Sequence, residues 1–339
     1  MFFCEGDLIE TADGVIFDVK GLVHPPNRVI AFPRFIPTLD GNRRHRKSRY
    51  GKVYSFPDRF KFLQQNTPEL VVRDEVFDET LCEVPKENIK KHYKPTQKLK
   101  ELRSSKEPKD LEAKALQLAV SLKNAADIPW ESVGISGSLL VGLQTPTSDI
   151  DPVVYGIENC REVYAALQRM LNENDSQFKT YTRGELQVLF DFRSKDTIMN
   201  FEDFVKIESR KAFQGKFMET NYFIRFVKDR TEATEKYGDV CYKNSGYARI
   251  EATIADASEA LFTPCTYRIK DVEVAEGPRF KTIQEIVSFR GRFCEQAMKG
   301  EAVVAQGKVE KVTRTRNGHE YYRLILGNHP SDHMTLSEK

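Results

Sequence analysis

The sequence predicts an α+β protein in which a mixed-sheet core lies between two β-rich segments. Around residues 133–171, a short apolar strand, a Gly-Ser turn, a helix, a second strand and a longer helix follow one another, an order typical of an α/β core. Residues 1–95 and 240–339 instead show alternating apolar residues separated by turn signals, which predict antiparallel strands. We therefore expect three domains, at 1–95, 105–230 and 240–339.

The composition limits the classes of function. The chain has 339 residues, a net charge of +2 and 40% hydrophobic residues, which is typical of two or three packed domains. No apolar run approaches the length of a membrane span, and the N-terminus becomes acidic too early for a signal peptide. Six scattered cysteines form no C-x-x-C pair, which argues against a zinc knuckle or a disulfide framework. We expect a cytoplasmic protein with reduced thiols and no membrane partner.

The candidate site residues lie in the stretch Gly134–Gly156, which reads GISGSLLVGLQTPTSDIDPVVYG. Its Gly137-Ser138 turn joins a strand to a helix, and such a turn directs backbone N–H groups and a hydroxyl toward phosphates. Asp149 and Asp151 project from one face of the next strand, while the residue between them turns inward. Two adjacent carboxylates repel each other unless a cation lies between them, so the pair predicts a divalent-metal site.

A Gly-Ser turn followed by Asp-x-Asp on a second strand resembles the nucleotidyltransferase fold of the DNA polymerase β superfamily. The resemblance covers about a third of the chain. It implies that Gly137 and Ser138 hold the triphosphate of an NTP substrate, and that Asp149 and Asp151 are catalytic and bind Mg²⁺ or Mn²⁺. The implied reaction moves a nucleoside monophosphate from the NTP to a hydroxyl acceptor and releases pyrophosphate.

Two features depart from the pattern of that family. Pro152 follows the second aspartate and removes a donor from the strand ladder, which predicts an edge or a bulge. Active members also tend to carry a third carboxylate on a later strand. Asp191 and Glu251, both in alternating apolar runs, are the candidates, and the sequence does not choose between them. A catalytically inactive relative that only binds nucleic acid is therefore an alternative.

A basic run lies within the N-terminal segment, in the sequence NRRHRKSRYGK. Positive charge beside a tyrosine suits the phosphates and bases of a nucleic acid, whereas a solvated flexible loop is the alternative. The residues predicted to contact nucleic acid are Arg43, Arg44, Arg46, Lys47 and Arg49.

The strands after residue 240, with a hairpin signal at Asn317-Gly318, predict a small barrel of the oligonucleotide-binding type. Together with the basic run, such a barrel favours the 3′ end of RNA or DNA as the acceptor. A protein or small-molecule acceptor is the alternative.

Two other segments carry predictions about charge. Arg225 stands inside an apolar strand, so its guanidinium is expected to pair with either a structural carboxylate or the triphosphate. The segment 86–110 is highly charged and predicts a linker or an exposed helix.

Overall fold

The structure is a computed structural model that describes residues 2–45, 48–195, 197–278 and 283–337. About 27% of the chain is helix and 39% is strand, in several sheets. The chain is therefore a mixed α+β protein, as its sequence predicts. None of the helices in the described ranges is long and apolar enough to cross a membrane. Arg46 and Lys47, two of the predicted nucleic-acid contacts, lie outside the described residues.

Strands form both ends of the chain, and most of the helices lie between them. The strands are β1 (Leu8–Thr11), β2 (Ile16–Val19), β3 (Arg28–Pro37), β4 (Arg43–His45), β5 (Ser48–Lys52), β6 (Val71–Asp74), β7 (Glu79–Pro85), β8 (Ile89–Tyr93), β9 (Val133–Ile135), β10 (Pro152–Tyr155), β11 (Phe178–Lys179), β12 (Gln214–Phe217), β13 (Thr220–Phe223), β14 (Arg225–Val227), β15 (Val240–Glu259), β16 (Cys265–Glu276), β17 (Ile283–Ser288), β18 (Ala302–Arg314), β19 (His319–Leu326) and β20 (His333–Leu336). The α-helices are α1 (Phe56–Asn66), α2 (Pro95–Ser104), α3 (Asp110–Ala126), α4 (Gly137–Leu140), α5 (Ile157–Leu171), α6 (Arg183–Arg193) and α7 (Phe201–Glu208).

The chain divides into two compact units, and not into the three domains expected from its sequence. The first unit comprises Met1–Val72, Leu81–Thr180 and Ala212–Thr234, and the second comprises Arg73–Thr80, Tyr181–Lys211 and Glu235–Lys339. The N-terminal sheet joins the predicted core because the two share one apolar cluster. That cluster contains Leu8, Ile16, Phe35 and Tyr50 together with Leu140, Val141 and Leu143.

The first unit contains a large antiparallel sheet in the order β4-β5-β3-β2-β1-β8, with β7 also paired to β3. The Asp-x-Asp segment leads into β10, the central strand of a mixed sheet in the order β14-β10-β9, in which β10 is parallel to β14 and antiparallel to β9. Pro152 is the first residue of the central strand β10. The edge or bulge predicted at Pro152 is therefore wrong, because the first position of a strand tolerates a missing donor.

The segment 86–110 also differs from its prediction as a linker or exposed helix. Strand β8 pairs antiparallel with β1, and α2 buries Leu99 and Leu102. A charged strand can occupy this place because β8 lies at the edge of its sheet, where one flank needs no partner.

In the second unit, five strands close into a small barrel. Their order is β15-β16-β17-β19-β18, and β18 pairs back with β15 to complete the ring. Strands β17 and β19 are parallel, whereas the other neighbours in the ring are antiparallel. Strand β20 adds to β18 outside the ring, and α6 packs on α7 through edge-to-face aromatic rings.

Candidate functional site

The Gly-Ser turn is held at the end of β9 in the first unit. Ser136 donates its backbone N–H to Asp151 O at 2.8 Å and its hydroxyl to Gly6 O at 2.6 Å. These bonds connect the turn to the Asp-x-Asp segment and to the N-terminal segment. Helix α4 begins at the next residue, Gly137, and is anchored by the buried side chains of Leu139 and Leu140.

Gly137 touches the carboxylate of Asp151. The backbone φ angle at Gly137 is +62°, which favours glycine. A Cβ built on Gly137 lies 2.7 Å from Asp151 Cγ and closer still to its Oδ2. The structure therefore brings the predicted phosphate-binding turn and one predicted metal ligand into direct contact.

Ser138 has a different environment from that of its neighbours. Its side chain is buried, and its Oγ has no hydrogen-bond partner among the described residues. A buried hydroxyl without a partner costs free energy, so its place in a native fold calls for a ligand or a water molecule. Ser136 and Gly137, in contrast, line a pocket.

Ile150 sets the direction of the two aspartates. It is fully buried, donates its N–H to Asn221 O at 2.9 Å and accepts the N–H of Phe223 at 3.0 Å. Ile150 is thus bonded as a strand residue is, and alternation turns Asp149 and Asp151 to the opposite side. Both aspartates remain partly accessible, as the predicted carboxylate pair requires.

The charge on Asp151 is unfavourable where it lies. Burial and the neighbouring charge of Asp149 raise the pKa of Asp151 from 3.8 to about 7, although Lys52, Arg225 and Arg34 act in the opposite direction. Near neutral pH the carboxylate is therefore only partly ionised. Additional positive charge next to the pair would stabilise its ionised form.

This pKa leads to a stability prediction. Between the unfolded-state pKa of 3.8 and the folded-state pKa of about 7, Asp151 holds a proton in the folded chain that it has lost in the unfolded chain. The contribution of Asp151 to stability is therefore fully present at low pH and is lost as the pH rises through about 7. Asn cannot ionise, so Asp151→Asn should raise the melting temperature relative to wild type more at about pH 8 than at about pH 5. Differential scanning calorimetry at both pH values measures this. The exposed Asp175→Asn is the control, and an equal shift at both pH values would contradict the assignment.

The pocket beside Gly137 is charged and contains residues that sequence reasoning missed. Its volume is about 40 Å³. The polar and charged residues that line it include Asp18, Arg34, Ser136, Gly137, Asp151 and Arg225. Asp18 and Arg34 come from strands β2 and β3 of the N-terminal sheet. A signal for Asp18 was present, because a carboxylate inside the apolar run VIFDV needs a partner.

Arg225 is the central cation of the site. Its Nη1 lies 3.2 Å from Glu5 Oε2 and 3.8 Å from Asp18 Oδ1. Glu5 is fully buried, and it also accepts the backbone N–H of Gly21 at 2.9 Å and pairs with Lys20 at 3.5 Å. Of the two partners expected for Arg225, the structural carboxylate is therefore present.

The charges around Asp18 favour its ionised form. Burial would raise the pKa of this carboxyl group, but Lys20, Arg225, Arg34 and Arg59 together hold it well below its usual range. Asp18 is consequently a carboxylate at neutral pH, in contrast to Asp151.

The predicted basic loop is a β-hairpin, β4–β5, whose two faces differ. Arg43 is buried and donates from Nη1 to Leu143 O at 2.6 Å, so its role is structural and not that of a surface contact to nucleic acid. Arg44 and Arg49 pair across the strands and are exposed. Alternation places Lys52 on the same face as the buried Tyr50, and not with Arg44 and Arg49. The described part of the basic run is thus divided between the core and an outer surface.

The carboxylates proposed as a third ligand are both in the second unit. Asp191 is not on a strand: it is an exposed residue of helix α6, where Gln187 donates to it at 2.9 Å. Glu251 is on β15 of the barrel. Within the ranges that the structure describes, no group of three or more His, Cys, Asp or Glu side chains is placed to hold a metal ion.

The chain is similar in sequence to an archaeal protein. It is 32% identical over 330 residues to the uncharacterized protein MJ1086 of Methanocaldococcus jannaschii, an alignment that covers 95% of this chain and 94% of the other. The chain belongs to the family of that protein. No protein-family model matches the chain, and no solved structure matches it. The family relationship therefore extends over both units.

Proposed function

We propose that the chain is a metal-dependent nucleotidyltransferase that moves a nucleoside monophosphate from an NTP to a hydroxyl acceptor. The observation that carries the proposal is the contact between Gly137 and the Asp151 carboxylate, with Asp149 beside it. A glycine turn that touches an acidic pair can bring the phosphates of one ligand and a cation within reach of each other. The free cysteines and the near-neutral net charge are compatible with a cytoplasmic enzyme.

The residues fit a divalent metal ion. Burial and, after it, the charge of Asp149 raise the pKa of Asp151, and a bound cation would favour the ionised form against both effects. Two carboxylates suffice for Mg²⁺ or Mn²⁺ when substrate phosphates complete the coordination. When bound, the ion would polarise the α-phosphate and lower the pKa of the attacking hydroxyl.

The chain's own residues would supply position and charge. The backbone of Gly137 and Ser138 would hold the triphosphate at the start of α4, where Ser136 and Gly137 line the pocket. Arg34 and Arg225, which line the pocket, would offset the negative charge of the phosphates. Fixing the phosphate in line with the attacking hydroxyl is the main catalytic contribution expected of such a site.

We propose the 3′ end of a single-stranded nucleic acid as the acceptor. Support comes from the exposed pair Arg44 and Arg49 and from the barrel, whose ring of five strands, with β17 parallel to β19, fits an oligonucleotide-binding barrel. The exposed Arg314, at the end of β18, and the exposed Arg316, in the turn that follows, add positive charge.

A second candidate function is nucleic-acid binding without catalysis. It is favoured by the three cations whose charges act on Asp151 and by the lack of a third acidic ligand beside the pair within the described residues. In such a protein Arg225 would take the place of the metal as the counter-charge.

The experiment that tests the proposal is nucleotide incorporation. The protein is incubated with each α-labelled NTP, Mg²⁺ or Mn²⁺, and a mixture of RNA and single-stranded DNA oligonucleotides. We expect labelled and lengthened nucleic acid from the wild type and from Asp175→Asn. The double variant Asp149→Asn, Asp151→Asn should incorporate at least about 1,000-fold less, since it lacks the proposed metal ligands.

Other outcomes separate the alternatives. Equal incorporation by the double variant would refute the assignment of the site. Label on the protein itself would identify a protein acceptor. Retained oligonucleotide binding without incorporation of any label would favour the binding-only function.

A further inference from the structure

Tyr54 is an exposed aromatic residue flanked by two cations. It follows β5 closely and is 47% exposed. The guanidinium carbon of Arg34 lies 5.1 Å from the centre of the ring, and Nζ of Lys52 lies 4.9 Å from it. An aromatic face next to positive charge is the arrangement that binds the bases and phosphates of single-stranded nucleic acids.

The same two cations belong to the site around Asp151. Arg34 lines the pocket, and so does Phe35, the residue that pairs with Lys52 on the neighbouring strand. Strand pairing explains this, because Lys52 stands opposite Phe35 and Val53 donates its N–H to Arg34 O at 2.9 Å. Tyr54 is therefore in contact with Arg34, a side chain that lines the pocket, and we infer that its ring lies next to the pocket opening.

The pocket is too small to hold a whole nucleotide. Its volume of about 40 Å³ is enough for a few water molecules or a small anion, whereas sites for larger ligands have volumes of about 300–1,000 Å³. A nucleotide whose phosphates are held at Gly137 and Asp151 must leave its sugar and base outside, against the rim. Tyr54 offers an exposed ring at that place.

We propose that Tyr54, Arg34 and Lys52 form a nucleotide subsite in which the ring stacks on a base and the two cations bind a phosphate. This inference rests on the proposed function, because it takes the pocket at Asp151 as the phosphate site. The nucleotide belongs either to the NTP or to the 3′ end of a single-stranded nucleic acid, since both present the same base and phosphate chemistry.

Binding measurements with three probes test the subsite. The probes are the four NTPs, inorganic tripolyphosphate and a short 5′-labelled single-stranded RNA, and the variants are Tyr54→Ala and Tyr54→Phe. We expect Tyr54→Ala to weaken binding of the NTP or of the RNA by about tenfold to a hundredfold, as expected for the loss of one stacked base. Tyr54→Phe keeps the ring and should bind like the wild type. Tripolyphosphate has no base, so its affinity should not change in either variant.

Lys52 and Lys91 form a matched pair that tests whether the charge of Lys52 contributes to binding. Lys91 lies 4.2 Å from the ring centre of Tyr93 in the same sheet and resembles Lys52 over Tyr54, but it lies on β8, which β1 and β2 separate from β3 and Arg34. Lys52→Gln should weaken binding of both the phosphate-only probe and the nucleotide, and should reduce the salt dependence of binding. Lys91→Gln should leave both unchanged.

The outcomes separate the subsite from the proposed reaction. Loss of NTP affinity alone assigns the subsite to the NTP, and loss of RNA affinity alone assigns it to the strand end. Wild-type affinity for every probe in Tyr54→Ala, or equal losses in Tyr54→Ala and Tyr54→Phe, would overturn the inference even if nucleotide incorporation is intact. Binding that depends on Tyr54 in a protein without incorporation would support the subsite and reject the transferase reaction.

Discussion

Gly137→Ala is expected to lower nucleotide incorporation by at least about 100-fold and to lower the melting temperature. The new Cβ lies 2.7 Å from Asp151 Cγ, so the carboxylate must move, and a shift of roughly 1 Å in a reacting group costs about a hundredfold in rate. The φ angle of +62° adds about 1–2 kcal/mol of backbone strain for any residue with a side chain. Incorporation assays and thermal unfolding of the purified variant measure the two effects.

A double-mutant cycle separates the clash from the backbone strain. Asp151→Ala removes the atoms that the new Cβ meets, so the stability loss caused by Gly137→Ala should be smaller in the Asp151→Ala background. Gly184→Ala is the control, because Gly184 has no neighbouring atom within 4 Å of its added Cβ. Strictly additive losses in the cycle would mean that Gly137 and Asp151 are not in contact.

Arg225→Met is expected to destabilise the first unit by about 3 kcal/mol. The guanidinium is 25% exposed, and its removal leaves the fully buried carboxylate of Glu5 without its closest cation at 3.2 Å. Loss of one partner from a buried ion pair costs about 3–5 kcal/mol, and partial solvent access favours the lower end. Trp130, the single tryptophan, belongs to the same unit, so urea unfolding followed by its fluorescence reports on this unit.

The loss should also depend on pH. Burial already raises the pKa of Glu5 despite its cationic neighbours Lys20 and Arg225, and without Arg225 the protonated form is favoured further. The stability lost in Arg225→Met should therefore be smallest at low pH and grow as the pH rises. Adding Glu5→Gln to Arg225→Met should recover part of the loss at neutral pH, whereas the exposed Arg161→Met should cost little. A loss that Glu5→Gln does not change would show that the ion pair is not its cause.

The part of the site that sequence reasoning predicts well is local. Gly137 and Asp151 are near each other in the chain, and strand alternation around a single buried residue, Ile150, is enough to direct both aspartates. The helix α3 is similarly local, since its buried residues Ala115, Leu118 and Leu122 follow the three- and four-residue spacing of an amphipathic helix.

The residues that sequence reasoning missed depend on distant partners. Asp18 and Arg34 become part of the pocket only when the N-terminal sheet packs against α4, which no local pattern encodes. The basic run predicts positive charge but not the direction in which each side chain points. In the paired strands Arg43 points inward and Arg44 points outward. Asp191 stands in an alternating run, yet Thr182 and Glu185 form a capping box that marks the start of a helix.

The pairing of Glu5 with Arg225 has a consequence for how the chain acquires its site during synthesis. The two residues are separated by 220 positions, and β14, which carries Arg225, is the last strand of the first unit. The Gly-Ser turn and both aspartates are synthesised early. The ribosome must then translate α6 and α7, which belong to the second unit, before it adds Arg225. Because domains tend to fold as units once their chain is complete, the first unit must wait while Glu5 and Asp18 lack their contacts with Arg225. The pocket is therefore expected to be one of the last features of this unit to form, and a nascent chain that stops before residue 225 should not bind nucleotide.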